Sequence, residues 1–428
     1  METKVLMFGW EFPPHIAGGL GTACLGLTRG LAKQGVKVLF VMPHASGDED
    51  QSAVKIINAS DVETLYDYRD IEDYWKNISF MEVGSNLIPY MEPERFEREA
   101  SKSIHERTEE HKIGFKNKYQ FSGKYGVNLM EEVGRYAVVA ATIAGQQQFD
   151  VIHAHDWLTY PAGIAAKRVS GKPLVVHVHA TEFDRSGENI NTLVYNIERQ
   201  GMEEADRVVT VSNWTRDIVI RRYGIRPEKV VTIHNAVDFQ SYSDMKVERG
   251  VKEKVVTFLG RITYQKGPEY FIEAAYKVLQ RYSNVRFVMA GSGDLMDRSI
   301  RRIAKLKMAT KFHFTGFLRG QDVQKMFAYS DVYVMPSVSE PFGISPLEAM
   351  RSGVPTIISK QSGVAEVLKH AIKVDFWDVD ALADAIYALL SYPALPQFAS
   401  KYGLTEVNAL KWENAAFKLK QIYEELRR

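Results

Sequence analysis

Two glutamates eight positions apart are the residues best placed to do chemistry. Glu340 follows an apolar run, Val332 to Met335, that reads as a short strand, and Glu348 follows Ser345-Pro346, which are expected to be the N-cap and the first position of a helix. Glu340 is therefore expected in a loop and Glu348 on the following helix. Because a carboxylate can accept two hydrogen bonds from a vicinal diol such as that of ribose, the pair favours a hydroxyl-rich ligand.

The turn between the two glutamates also suits an anion. The backbone amides of Phe342, Gly343 and Ile344 stand before the helix, where amides lack internal partners and carry the positive end of the helix dipole. A phosphate beside two diol-binding acids indicates a sugar nucleotide. For this turn alone, a capped helix with two solvated acids remains an alternative.

Two cations follow the apolar run that ends at Leu259. Arg261 comes directly after Gly260, and Lys266 directly before Gly267. Arginine and lysine placed in this way can bind a diphosphate between them. A solvated basic loop is the alternative, but a pair of cations beside two glycines at a strand end favours binding.

Glycine-rich turns follow other predicted strands. Gly18, Gly19 and Gly21 come after the first strand, where small residues let backbone approach a ligand closely. They do not form the G-x-G-x-x-G dinucleotide pattern, but ligands bind at this position of a doubly wound sheet. Gly291 ends another strand and is expected to face the same crevice.

Four histidines occur as two H-x-H pairs, His153 with His155 and His177 with His179, each at the end of an apolar strand. Strand alternation puts both members of a pair on one face. The pairs could form a zinc site with carboxylates nearby in the sequence. Those carboxylates are Asp156, Glu182 and Asp184. Satisfied core histidines are the alternative.

Short apolar runs alternate with helical patterns along the chain, which predicts a doubly wound α/β fold with two Rossmann-like halves. We assign residues 1–239 to an N-terminal Rossmann-like domain and residues 240–404 to a C-terminal Rossmann-like domain. A polar stretch at 240–253 is the expected linker. Residues 405–428 are expected to form a helix that packs back on the first domain.

Composition excludes several other classes of protein. The 428 residues are 45% hydrophobic and 25% charged, with a formal net charge of +1, so nothing global favours nucleic acid or an anionic membrane. Cys24 is the only cysteine, and no apolar run reaches membrane-spanning length, so we expect a cytoplasmic location and no transmembrane segment. Residues 45–134 form a charged insertion, and no sequence motif indicates its role.

Together these motifs resemble those of retaining GT-B glycosyltransferases, the large family of glycogen synthases, sucrose synthases and mannosyltransferases. The glycogen synthase-like branch is the most similar. The residues that carry the resemblance are Trp10-Glu11-Phe12-Pro13-Pro14, Gly18-Gly19-Leu20-Gly21, His155-Asp156-Trp157, Asn235-Ala236-Val237-Asp238, Gly260-Arg261, Lys266-Gly267, Glu340 and Glu348. One departure is that the first glycine loop lacks the lysine of many bacterial glycogen synthases, so its diphosphate contact is expected to be backbone only.

The resemblance implies that residues 1–239 form the acceptor domain and residues 240–404 the donor domain, and it implies a role for each matching residue. His155, Glu340, Arg261 and Lys266 would be catalytic, with Glu340 facing the donor sugar and His155 near its anomeric carbon. The donor would also be bound by Gly18, Gly19, Gly260, Gly291, Phe317, Leu318, Phe342, Gly343, Ile344 and Glu348, of which Phe317 and Leu318 lie where a base would be read. Acceptor contacts would come from Glu11, Asp156, Trp157, Tyr125 and His179. No metal or other cofactor is implied.

The expected reaction is transfer of a hexose, most simply glucose, from an ADP- or UDP-sugar to an α-glucan or other glycoside. In the family, retention is ascribed to attack from the face of the leaving group, so no protein nucleophile is needed. A lipid-linked or small-glycoside acceptor is the main alternative. A sugar-nucleotide epimerase, a zinc hydrolase built on the histidines and a noncatalytic nucleotide-sugar sensor are further alternatives.

Overall fold

The computed structural model describes residues 2–15, 19–64, 118–126, 128–237 and 250–427. Its described residues form two parallel sheets, one in each half of the chain. Most strands are continuous apolar runs that are buried on both sides, as expected for strands covered by helices on both faces.

The first sheet has the strand order β3-β2-β1-β4-β5-β6-β7, with every pair parallel. Its strands are β1 (Lys4–Phe8), β2 (Lys37–Met42), β3 (Lys55–Asn58), β4 (Val151–His155), β5 (Leu174–Val178), β6 (Arg207–Thr210) and β7 (Val230–Thr232). Its helices are α1 (Gly19–Lys33), α2 (Leu129–Gln146), α3 (Tyr160–Ser170), α4 (Glu182–Ser186), α5 (Thr192–Glu204) and α6 (Asn213–Tyr223). The chain reverses its direction of winding between β1 and β4.

The second sheet has the order β10-β9-β8-β11-β12-β13, again all parallel. Its strands are β8 (Lys254–Leu259), β9 (Val285–Ala290), β10 (Phe312–Gly316), β11 (Val332–Met335), β12 (Thr356–Ser359) and β13 (Ile372–Val374). The helices around it are α7 (Pro268–Leu279), α8 (Met296–Lys305), α9 (Gln321–Tyr329), α10 (Ser345–Arg351), α11 (Val379–Ser391) and α12 (Ala394–Ala409).

The predicted doubly wound α/β fold is confirmed, and two edge strands that the sequence did not indicate extend it. These are β3 and β13, which are short and mostly half-exposed. The linker prediction at 240–253 falls largely on residues 238–249, which lie outside the described residues, as do residues 65–117 of the predicted insertion.

The C-terminal segment forms two helices where a single one was expected. α12 ends at Ala409, and α13 (Trp412–Leu426) then packs on α1 of the first half. A Cβ at Gly26 of α1 would overlap the indole of Trp412, and one at Gly30 would lie 2.8 Å from the Cβ of Ala416. Glycines in α1 therefore make room for α13, whose buried side chains join those of β1 and β2 in one apolar core.

None of the described helices combines the length and apolar character needed to cross a membrane.

Candidate active site

The predicted site residues lie at the carboxyl ends of the strands in both sheets. Each sheet has a switch point, between β1 and β4 in the first and between β8 and β11 in the second. Ligands of doubly wound sheets bind in the crevice at such a point, because the loops that follow the two strands diverge there. The two switch points therefore define where a ligand between the halves would lie.

The loops after β8 and β9 pack closely because they meet at glycines. A Cβ at Gly291 would overlap the carbonyl oxygen of Gly260, and one at Gly293 would overlap that of Ile262. The Ile262 amide donates to the Ser292 carbonyl oxygen at 2.8 Å. This packing fixes the path of the loop that carries Arg261, whose guanidinium donates to Gln265 Oε1 at 2.9 Å.

Lys266 and Glu340 form an ion pair at the centre of the second-half site, between Nζ and Oε2. Glu340 is only 6% exposed, and its Oε2 also accepts from Ser337 Oγ at 3.3 Å. Lys266 stands in a 3-10 turn that ends at Gly267, where φ is +65° and a Cβ would overlap the carbonyl oxygen of Pro336. The structure therefore brings together two residues that are 74 positions apart.

The turn after Glu340 leads into α10. Gly343 has a φ of +97°, a value that suits glycine. The N-cap position is Ile344 and makes no side-chain cap, so the expected N-cap role of Ser345 is wrong by one residue, Pro346 being at the second helical position. Among the described residues, no partner is recorded for the amides of Gly343 and Ile344, which leaves both available to an anion.

Glu348 lies half-buried on α10. The negative charges of Glu340 and Glu348 both act on the phenol of Tyr333. Burial raises the pKa of Tyr333 far above its usual value, and the negative charges of Glu340 and Glu348 raise it further. The two glutamates of the motif thus face one region of the second half.

Phe317 and Leu318 extend this region beyond the end of β10. Phe317 is 51% exposed, and the guanidinium of Arg319 stands 5.1 Å from the centre of its ring. The Gly291 amide donates to the Gly316 carbonyl oxygen at 2.9 Å, which ties this loop to the one after β9. An exposed aromatic face here is suited to stacking on a base.

The glycine-rich start of α1 in the first half faces the turn at Gly343 and Ile344 of the second half. A Cβ at Gly19 would lie 3.7 Å from Ile344 Cδ1, so the start of α1 and the start of α10 approach each other. Gly18 lies outside the described residues. Glu11 accepts from the Gly21 amide at 3.1 Å and from the Tyr125 hydroxyl at 3.3 Å, which brings two of the predicted acceptor residues together.

The four histidines form one array of stacked rings, in which His153, His155 and His177 are buried and His179 is half-buried. The rings of His153 and His155 are 4.3 Å apart, as are those of His177 and His179. Across the two strands, His155 Nδ1 is 2.9 Å from His179 Nε2, and His153 Nδ1 is 2.5 Å from the Tyr423 hydroxyl of α13. The shared face that strand alternation predicts is present.

Burial keeps these imidazoles neutral. It lowers the pKa of His153 and of His179 to about 3, and it also lowers the pKa of His155 and of His177, with the neighbouring rings adding to the effect. Within the part of the chain that the structure describes, no hydrogen-bond partner is found for His153 Nε2, His155 Nε2 or either ring nitrogen of His177.

One nitrogen from each of His153, His155 and His177 lies within 4.8 Å of the other two. A tetrahedral zinc site with bonds of about 2.0–2.1 Å needs nitrogens about 3.4 Å apart, so a zinc site remains only the alternative interpretation of these histidines. The predicted carboxylate ligands have other partners. Glu182 and Asp184 accept hydrogen bonds within α4 and from its neighbours.

Asp156 accepts backbone hydrogen bonds, and Trp157 packs in the core. Asp156 has a φ of +59°, and its Oδ1 accepts from the amides of His179 and Ala180 at 2.7 and 3.3 Å. Burial raises the pKa of this carboxyl to about 6, although the positive charge of Arg185 opposes the shift. Trp157 is buried in the core of the first sheet. The predicted contacts of these residues with an acceptor remain predictions.

Several residues that the sequence did not mark as donor- or acceptor-binding residues join the halves beside Glu340. Asp184 and Trp214 of the first half hydrogen-bond Ser339, and Ser212 and Thr215 hydrogen-bond the carbonyl oxygen of Pro341. Ser339 and Asp184 are 155 positions apart, and no spacing or periodicity connects them.

Two family models match consecutive parts of the chain. Residues 124–241 match Glycosyltransferase Family 4, and residues 243–405 match Glycosyl transferases group 1. An uncharacterised glycosyltransferase of Methanocaldococcus jannaschii is 30% identical over 98% of this chain and 98% of its own. A glycogen synthase of Mycobacterium tuberculosis is 24% identical over 98% of this chain and 94% of its own.

A solved structure has the same fold. The Anabaena HepE protein in complex with UDP and glucose covers 99% of this chain and 100% of its own, with a TM-score of 0.67 and 17% sequence identity. At this identity the likeness shows the shared fold.

Proposed function

The chain belongs to the group 1 glycosyltransferases and has their GT-B architecture, and from this we propose that it transfers a hexose from a nucleoside-diphosphate sugar to an α-glucan. Glucose is the proposed sugar, transferred with retention of configuration. The observation that carries the proposal is the Lys266–Glu340 pair beside the amides of Gly343 and Ile344, which have no partner among the described residues. A cation, an acid and helix-start amides together suit a diphosphate joined to a polyol.

Breaking the bond between sugar and phosphate builds negative charge on the leaving diphosphate and positive charge at the anomeric carbon. Lys266, Arg261 and the two amides are proposed to stabilise the diphosphate, because preorganised donors act strongly where charge develops. Glu340 would hold the sugar hydroxyls, and Glu348 those of the ribose. In this scheme the leaving phosphate oxygen takes the proton of the attacking hydroxyl, and the positive charges stand where a metal ion would otherwise be needed.

Two relatives support the donor and acceptor classes. The Mycobacterium tuberculosis protein is named a glycogen synthase, and HepE binds UDP and glucose. The identity of 24% to the synthase leaves a lipid-linked or small-glycoside acceptor as the second candidate. The exposed face of Phe317 supports a nucleoside donor and does not choose between adenine and uracil.

The decisive experiment incubates the protein with ADP-, UDP- and GDP-sugars in EDTA, with and without glycogen, and measures nucleoside diphosphate release. Glycogen-dependent release with an α-linked product by NMR would establish the proposal. Release independent of glycogen would redirect the acceptor to the second candidate. An isomerised donor without diphosphate release would identify an epimerase, and binding without turnover would identify a sensor.

Replacing Glu348 with glutamine is expected to weaken donor binding by roughly tenfold, because a charge-assisted acceptor for two hydroxyls becomes a neutral amide. Isothermal titration with the nucleoside diphosphate measures the change. Glu425→Gln, at an exposed position on α13, is the matched control and should bind as the wild type does. An unchanged dissociation constant for Glu348→Gln would remove Glu348 from the ribose site.

A further inference from the structure

We propose that Asp184 of the first half is a positioning residue for Glu340, acting through the hydroxyl of Ser339. The inference deepens the proposed function and rests on it. It gives the first half a specific part in placing the carboxylate that would hold the donor sugar.

A buried network of ion pairs and hydrogen bonds surrounds Asp184. Arg185 of α4 forms ion pairs with Glu182 of the same helix and with Glu198 of α5. These three side chains are at most 4% exposed. Asp184 Oδ2 accepts from both the amide and the hydroxyl of Thr181 at 2.8 Å, completing a capping box. Fully paired buried charges resist displacement, because separating them leaves an uncompensated charge in the interior. The carboxylate of Asp184 therefore has a fixed position.

The other oxygen of this carboxylate, Oδ1, contacts the second half. Ser339 Oγ donates to Asp184 Oδ1 at 2.5 Å and accepts from the indole Nε1 of Trp214 at 3.1 Å. Both partners of the hydroxyl belong to the first half, α4 and α6. The residue directly before Glu340 is thereby attached to the opposite half of the chain.

The residue directly after Glu340 is attached in the same way. The carbonyl oxygen of Pro341 accepts from Ser212 Oγ at 2.5 Å and from Thr215 Oγ1 at 3.3 Å. Gly363 permits this approach, since a Cβ there would overlap both the Pro341 carbonyl oxygen and the side chain of Ser212. Glu340 therefore stands between two residues that the first half holds.

The second half holds Glu340 itself. The Glu340 amide donates to the Gln361 carbonyl oxygen at 2.9 Å, its carbonyl oxygen accepts from the Gly363 amide at 2.9 Å, and its carboxylate contacts Lys266 and Ser337. The first half adds the bonds to the side chain of Ser339 and to the carbonyl oxygen of Pro341. If the halves separate, these bonds are lost together, and Glu340 keeps only the contacts of its own half. We infer that the contact between the halves completes the placement of the carboxylate.

Three substitutions and a control test the inference. Ser339→Ala removes the hydroxyl, Ser339→Thr keeps it, and Asp184→Asn weakens its acceptor. Ser400→Ala is the matched control, since Ser400 Oγ donates to the Gly353 carbonyl oxygen in an exposed contact far from Glu340 in the chain. The readouts are kcat, the dissociation constant of the nucleoside diphosphate, and hydrogen–deuterium exchange of the peptide that contains Glu340.

Ser339→Ala is expected to lower kcat by roughly tenfold, in line with the cost of a misplaced catalytic group, while nucleoside diphosphate binding changes by less than about twofold. Exchange at Glu340 should rise, Ser339→Thr should recover most of the activity, and Ser400→Ala should match the wild type. In the Ser339→Ala background, Asp184→Asn should add little, because the two residues act through one hydrogen bond.

Wild-type kcat and unchanged exchange in Ser339→Ala would overturn the inference, as would a loss in the double variant equal to the product of the single losses. If the wild-type protein turns over no donor at all, the proposed function fails instead. In that case the exchange measurement alone decides whether Asp184 holds the Glu340 segment.

Discussion

Replacing Lys266 with methionine is expected to lower kcat for glycosyl transfer by roughly 100- to 1000-fold, the usual cost of removing one preorganised group that stabilises transition-state charge. Methionine has a similar length but no charge, so the diphosphate would lose its partner with little change in volume. The substitution also leaves Glu340, which is only 6% exposed, without its cation. Steady-state kinetics with the donor identified in the panel experiment measures the effect.

Lys277→Met is the matched control for this prediction. Lys277 forms an ion pair with Asp380, both partners being largely exposed, and pairs of this kind contribute little. The kcat of the Lys277→Met variant should equal that of the wild type. Turnover of Lys266→Met within about threefold of the wild type would exclude Lys266 from the diphosphate site.

Replacing Arg185 with methionine is expected to lower the free energy of unfolding by roughly 3–5 kcal/mol, the usual cost of removing one partner from a buried ion pair. Glu182 and Glu198 are almost fully buried and would lose their shared cation. Burial already raises the pKa of Glu198 to about 7, and Arg185 opposes that shift. Without Arg185 the pKa should rise further, so Glu198 would be protonated at neutral pH.

Urea denaturation followed by circular dichroism compares the Arg185→Met variant with the wild type. Arg281→Met is the control, because Arg281 and its partner Asp384 are both about two-thirds exposed, and its denaturation midpoint should not move. Equal midpoints for Arg185→Met and the wild type would show that the buried network does not hold α4 in place.

The strands of both sheets were predictable because a strand buried on both faces must be apolar throughout. β11, for example, has the bounds predicted for it, Val332–Met335. The edge strands β3 and β13 escaped prediction because an edge strand is partly solvated, so Lys55–Asn58 and Ile372–Val374 need no continuous apolar run.

The second-half site was largely predictable for a related reason. Parallel strands bring their carboxyl ends to one edge, so the loops with Gly260, Gly291 and Glu340 had to converge there. The contact between Ser339 and Asp184 was not predictable, because it depends on how two separately formed sheets meet. No local pattern encodes that relation. The burial of Arg185 was equally hidden, since an arginine on a short helix usually faces solvent.

The contact between Trp412 and the glycines of α1 bears on how this protein could be recombined with its relatives. Since α13 completes the core around β1 and β2, the second sheet is an insertion within the first structural unit, with chain of that unit on both sides. A chimera that exchanges everything after the linker would pair a foreign C-terminal helix with Gly26 and Gly30. A donor-half transplant therefore needs two crossovers, one near residue 250 and one near residue 411, so that recipient α1 keeps its own Trp412.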